Sequence, residues 1–132
     1  LFRSPQIAFK SLTPNIWYYP NLDPSQGPLL SLQLKDAEGD FGRQDTSVSY
    51  VYVKNLTIPP FETDSFPFPD LTGINRNNMD VQVDVVLNNI RNSGNPTRPY
   101  TDTIFFEVYV QDFARHKSNV IKTPDPLYLV TQ

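Results

Sequence analysis

In GPLLSLQLKD the apolar residues fall at every second position: Leu30, Leu32 and Leu34 share one face, and Ser31, Gln33 and Lys35 share the other. A period of two predicts a strand with one buried face. NMDVQVDVVLNN repeats the pattern, with Val81, Val83, Val85 and Leu87 inward and Gln82, Asp84 and Asn88 outward. SVSYVYVKNL and DTIFFEVYVQD differ, because both parities are apolar. Val48, Tyr50 and Tyr52 stand against Val51 and Val53, and Ile104, Phe106, Val108 and Val110 against Phe105 and Tyr109. Strands of that kind are expected to be covered on both faces. The expected cover is the proline-rich stretch IPPFETDSFPFPDL, residues 58–71, lying across the outside of one sheet, with 66–71 pairing as an edge strand.

With PQIAFKSL at the start and SNVIKTPDPLYLV at the end, the pattern predicts seven strands: 6–12, 29–35, 48–56, 66–71, 80–88, 103–111 and 119–130. Short strands separated by turn residues predict an all-β chain, an immunoglobulin-like β-sandwich of about seven antiparallel strands. Leu32, Val83, Phe106 and Val108 are its expected core. The loop SGNPTRP joins the fifth strand to the sixth, and no domain boundary interrupts residues 1–132, which are read as a single domain.

Composition sharpens the picture in a few places. Thirteen prolines against five glycines disfavour helix interiors. A net charge of -3, with 11 basic residues scattered along the chain, offers no basic stripe for phosphates, so nucleic acid is not an expected partner. No apolar run approaches the ~20 residues of a membrane span. The chain opens LFRSPQIAF without an initiator Met, and the expectation is that a signal segment or other leader has been removed. The absence of cysteine rules out disulfides and thiolate chemistry.

Two segments carry a resemblance. The acidic-glycine turn LKDAEGDFG after the second strand, and a late strand running into FFEVYVQDFARHKSNVIKTP, resemble the Ig-like domains of uncharacterised Bacteroidota cell-envelope lipoproteins. The resemblance implies export to the periplasm or outer-membrane surface and a lipid anchor on the removed leader; it implies no known activity. The lipidated Cys itself is not in this sequence.

Candidate chemistry is sparse. In LKDAEGDFG, Asp36, Glu38 and Asp40 alternate in a turn, and several carboxylates converging on one centre suit calcium. The EF-hand pattern fails, since Phe41 stands where Gly is required and Ser47 where the bidentate Glu belongs. In the expected sandwich, the loops after alternate strands gather at one end. That would bring Asp112 and Asn119, with Asp80, toward the turn. The competing reading is plain turn chemistry, Asp side chains bonding local amides with Gly39 and Gly42 supplying positive φ.

IWYYP sets Trp17, Tyr18 and Tyr19 together as candidate ligand-binding aromatics, for sugar stacking or an interface. The alternative is that Trp17 plugs one end of the sandwich. His116 is the sole histidine and is read as an exposed loop residue, and no nucleophile motif accompanies it. The reading is therefore a non-catalytic exported Ig-like domain acting as an interaction or spacer module toward a protein or glycan. A glycan-binding accessory protein with a calcium-stabilised loop end is the alternative, and a small hydrolase built on converging carboxylates is the third class.

Overall fold

The computed structural model describes residues 5–36, 43–44, 47–68, 79–111 and 116–132. In chain order its strands are β1 (Gln6–Thr13), β2 (Ile16–Tyr19), β3 (Leu29–Asp36), β4 (Arg43–Gln44), β5 (Ser47–Val48), β6 (Tyr50–Asn55), β7 (Thr63–Pro67), β8 (Met79–Val86), β9 (Tyr100–Ile104), β10 (Phe106–Gln111), β11 (Ile121–Lys122) and β12 (Leu127–Thr131). Among the described residues there is no helix, so none is long and apolar enough to cross a membrane.

The strands form two layers. One is β1-β3-β8, antiparallel throughout. The other combines β11-β10-β6-β7 with β2-β12-β9. These two groups continue one another, because only Phe105 separates β9 from β10 and only residues 123–126 separate β11 from β12. Thr123 carries the pairing across the break: its N–H donates to the Phe106 carbonyl at 2.9 Å, and its hydroxyl accepts the Phe106 N–H at 3.0 Å. The short pair β4-β5 stands apart from both layers.

The expected count of seven is not what the described residues show: the strands near 6–12, 29–35 and 80–88 are whole, while others are divided or shifted and β2 is additional. Pro124 and Pro126, which lack an N–H, break the last expected strand, and the sixth extends back to Tyr100. IWYY, expected as an aromatic cluster, is itself a strand, pairing parallel with β12.

The two layers meet in one apolar core. Leu30, Leu32, Leu34, Val83, Val85 and Leu87 come from the first layer, and Val51, Val53, Ile104, Phe106, Val108, Val110, Leu127 and Leu129 from the second. The four residues expected at its centre, Leu32, Val83, Phe106 and Val108, are all at most 4% exposed. Face-to-face burial of two half-apolar sheets makes a β-sandwich.

The proline-rich stretch is placed differently from expectation. Thr63–Pro67 runs beside β6 as an edge strand, while Ile58 and Phe68 enter the core and Phe66 packs against it. Residues 69–71 lie outside the described residues. The stretch extends the second layer instead of roofing it, because its aromatics at alternate positions 66 and 68 need the core side. Asn55-Leu56-Thr57, which matches the pattern of an N-glycosylation sequon, is a turn device here: Asn55 Oδ1 accepts the N–H groups of both Thr57 and Ile58 at 2.9 Å.

Two contacts tie the layers at the first strand. The Asn119 carboxamide acts as a short surrogate strand, accepting the Ile7 N–H at 2.8 Å and donating to the Ile7 carbonyl at 3.0 Å. Further along, the Tyr128 N–H donates to the Asn15 carbonyl at 2.8 Å. At the far end Gly27 lies against residue 87 so closely that a Cβ there would stand 2.5 Å from the Leu87 carbonyl oxygen.

Phe106→Ala is expected to destabilise the fold by roughly 3 to 5 kcal/mol in urea denaturation, the cost of deleting a buried aromatic. A loss under about 1 kcal/mol would mean that Phe106 is not in the core.

Candidate functional site

Three of the four residues expected to hold a metal, Glu38, Asp40 and Asp112, lie outside the described residues, and Asp36 enters only through its backbone pairing with Met79. The helpers expected beside them are described, and both are engaged elsewhere. The Asn119 amide is committed to Ile7. Asp80 sits on the outer face of the first layer, accepting from Gln33 Nε2. Among the described residues no group of three His, Asp or Glu side chains is placed to hold a metal ion.

The candidate aromatics separate by strand alternation. Trp17 and Tyr19 turn inward, half-buried against the core, while Tyr18 between them is 54% exposed on the outer face. They lie beside Leu87, Ile90 and Leu129. The three rings therefore do not make one surface. Trp17 and Tyr19 pack against the core, and Tyr18 faces solvent beside Ile16, 46% exposed, two residues before it on β2.

A larger aromatic surface lies on the outer face of the second layer, where β6 and β10 place Tyr52 directly opposite Tyr109. The two rings stack at 4.8 Å between centroids and 18° between planes. Lys117 Nζ caps the Tyr109 ring 4.3 Å from its centroid, a cation-π contact. Tyr50, 38% exposed, leans toward Tyr52 at 6.2 Å. Lys122 lies over Phe105 in the same way, at 4.9 Å. Among the described residues, cross-strand stacking and lysine stems shield the outer parity of these strands. The pairing was present in the sequence as Tyr52 and Tyr109, but only the register reveals that they face each other.

The outer face of the first layer is polar instead. Lys10 Nζ donates to Gln82 Oε1 at 2.8 Å, Gln82 Nε2 donates to Asp84 at 2.9 Å, and the Ser31 hydroxyl donates to the same Asp84 oxygen at 2.7 Å. The bonds from Gln82 and Ser31, with Lys10 nearby, hold the Asp84 carboxyl below the usual range against a small desolvation effect.

In one cleft Glu62 and Asp64 approach Asn55, Asn89 and Arg91. Arg91 pairs with Glu62 at 3.3 Å in solvent, a contact of small energetic weight. Partial burial, then the Glu62 charge, push the Asp64 carboxyl up, with Arg91 opposing. The two cavities beside Asp64 hold about 20 Å³ each. That is room for a single water and not for a sugar ring or a peptide.

Compared with known proteins, the chain matches no family model, no curated protein and no solved structure.

The two perturbed carboxylates set opposite pH dependences. Asp84, lowered on folding, contributes stability above the ordinary Asp value of about 3.9 and loses it as pH falls through its lower folded value. Asp64, raised on folding, is neutral at no cost below about 3.9, and its ionisation opposes folding as pH rises through its higher folded value. Carboxyl carbon NMR should therefore find the Asp64 midpoint above that of a peptide Asp and the Asp84 midpoint below it. Midpoints in the reverse order would contradict the placement of both side chains.

Proposed function

We propose that residues 1–132 form one Ig-like domain of an exported cell-envelope lipoprotein and act without catalysis, as an interaction module. The Ig-like reading is supported by adjacency. The first, second and fifth expected strands are neighbours in one layer, and the third, sixth and seventh are neighbours in the other, as in Ig sandwiches. The fourth departs from the constant-type pattern by pairing with the third instead of the fifth.

The interaction reading is carried by the outer face of the second layer, where Tyr50, Tyr52 and Tyr109 with Lys117 present phenol edges and an ammonium on a rigid sheet. Preordered tyrosines lose little conformational freedom on binding, which suits them as interface anchors. The export and anchoring rest on the resemblance of LKDAEGDFG and the FFEVYVQDF region to the lipoprotein domains. A structural calcium at Asp36, Glu38, Asp40 and Asp112 belongs to the same proposal only as an accessory to the loop end.

The test is made in the source cell with the full-length protein. A photo-crosslinking residue replacing Tyr50 is expected to trap a discrete envelope partner, while the same residue at Gln33, on the other layer, traps none. Fatty-acid labelling of the same cells should mark the protein in the envelope fraction. Equal adducts from both positions would contradict the assigned surface, and an unlabelled protein in the cytosolic fraction would contradict the lipoprotein reading.

A further inference from the structure

A groove of about 370 Å³ runs along the side of the sandwich where β1 leaves the first layer and the chain crosses to the second. That volume lies within the range of about 300 to 1,000 Å³ usual for small-molecule sites. One wall is β1 from Phe9 to Leu12 with Asn15 beyond it, and the other is Asp125, Pro126 and Tyr128. A bulge between Phe9 and Ser11 interrupts the pairing of β1 with β3 at this point, and bulges of this kind re-aim side chains.

We propose that this groove binds a neutral oligosaccharide. Its apolar lining is Phe9, Leu12 and Tyr128, all half-buried. Its polar groups are the Ser11 hydroxyl, the Asn15 carboxamide, the Asp125 carboxylate and the Tyr128 phenol. Among the described residues, none of these four has a hydrogen-bond partner within the protein. A pyranose presents an apolar C–H face and a rim of vicinal hydroxyls. The C–H face matches an aromatic wall, and the rim matches a carboxylate and a carboxamide, which together accept and donate across adjacent hydroxyls.

Charge excludes the acidic sugars. Lys10 is the one cation of the described lining; its ammonium is turned to Gln82 on the neighbouring sheet face and lies near the Asp84 carboxylate, which offsets its charge. The Asp125 carboxylate remains in the groove and repels a uronate. Length follows from register. Ile16 stands directly opposite Tyr128 and Tyr18 opposite Val130, so an apolar strip continues from the groove along the exposed side of β2. A ligand of several residues covers that strip; a monosaccharide would leave it bare.

This goes beyond the interaction reading, whose surface is the Tyr52–Tyr109 face, and either can fail alone. The test is an amide NMR titration with maltohexaose, cellohexaose, mannohexaose and xylohexaose, and with oligogalacturonate as the acidic arm. At least one neutral chain is expected to shift the amides of Ser11, Asn15 and Tyr128 saturably, leaving Tyr52 and Tyr109 unmoved. Asp125→Ala and Asn15→Ala should each weaken that binding at least about tenfold, equivalent to about 1.4 kcal/mol. Their melting temperatures should be unchanged, since both side chains are exposed. Should either alanine variant unfold, Asp125→Asn gives the same reading. The proposal is overturned if no neutral chain shifts these amides up to about 10 mM, well above a millimolar dissociation constant. It is equally overturned if both variants bind as the parent does, or if oligogalacturonate binds more tightly than every neutral chain.

Discussion

The N–H of Tyr128 donates to the carbonyl of Asn15 at the point where the first run of chain passes from one layer to the other. Before that point β1 is bonded to β3, and after it β2 is bonded to β12. Residues 6–19 therefore cannot detach from one layer without loosening the other. Asn119 adds a second tie by satisfying both backbone groups of Ile7. The side groove is the space left where the crossing strand departs, so the fold's main constraint also shapes this concavity.

The two outer faces are finished in different ways. On the first layer, polar side chains bond one another in rows through Ser31, Gln82 and Asp84, which keeps a flat sheet face well hydrated. On the second, aromatic rings stack on each other and lysine stems lie over them. Both satisfy the outward parity, but among the described residues the second layer is the one that leaves stacked rings at the surface, where another molecule can meet them.

Alternation made the core legible: Leu30, Leu32, Leu34, Val83, Val85 and the even-numbered positions from Ile104 to Val110 all face where their parity places them. It was less informative where both parities are apolar, because Tyr52 and Tyr109 read as buried under another segment when they in fact cover each other. IWYY sits between Pro14 and Pro20 and is only four residues long, too short for periodicity to mark it as a strand, so its parallel pairing with the distant β12 was not foreseen. The groove was illegible for a different reason. Its walls are more than a hundred residues apart in the chain, and only the crossing brings Ser11 and Asn15 toward Asp125.

Native-state amide hydrogen exchange along residues 15–19 and 127–131 tests the shared first strand most directly. In a parallel ladder, alternate residues turn both backbone groups to the same neighbour. With the Asn15 carbonyl bonded to Tyr128, the N–H groups of Trp17 and Tyr19 face β12, while those of Ile16 and Tyr18 point off the sheet edge. The account predicts slow exchange at Trp17, Tyr19 and Tyr128 and fast exchange at Ile16 and Tyr18. Uniformly fast exchange across all four residues of β2, or protection at Ile16 and Tyr18 instead, would contradict it.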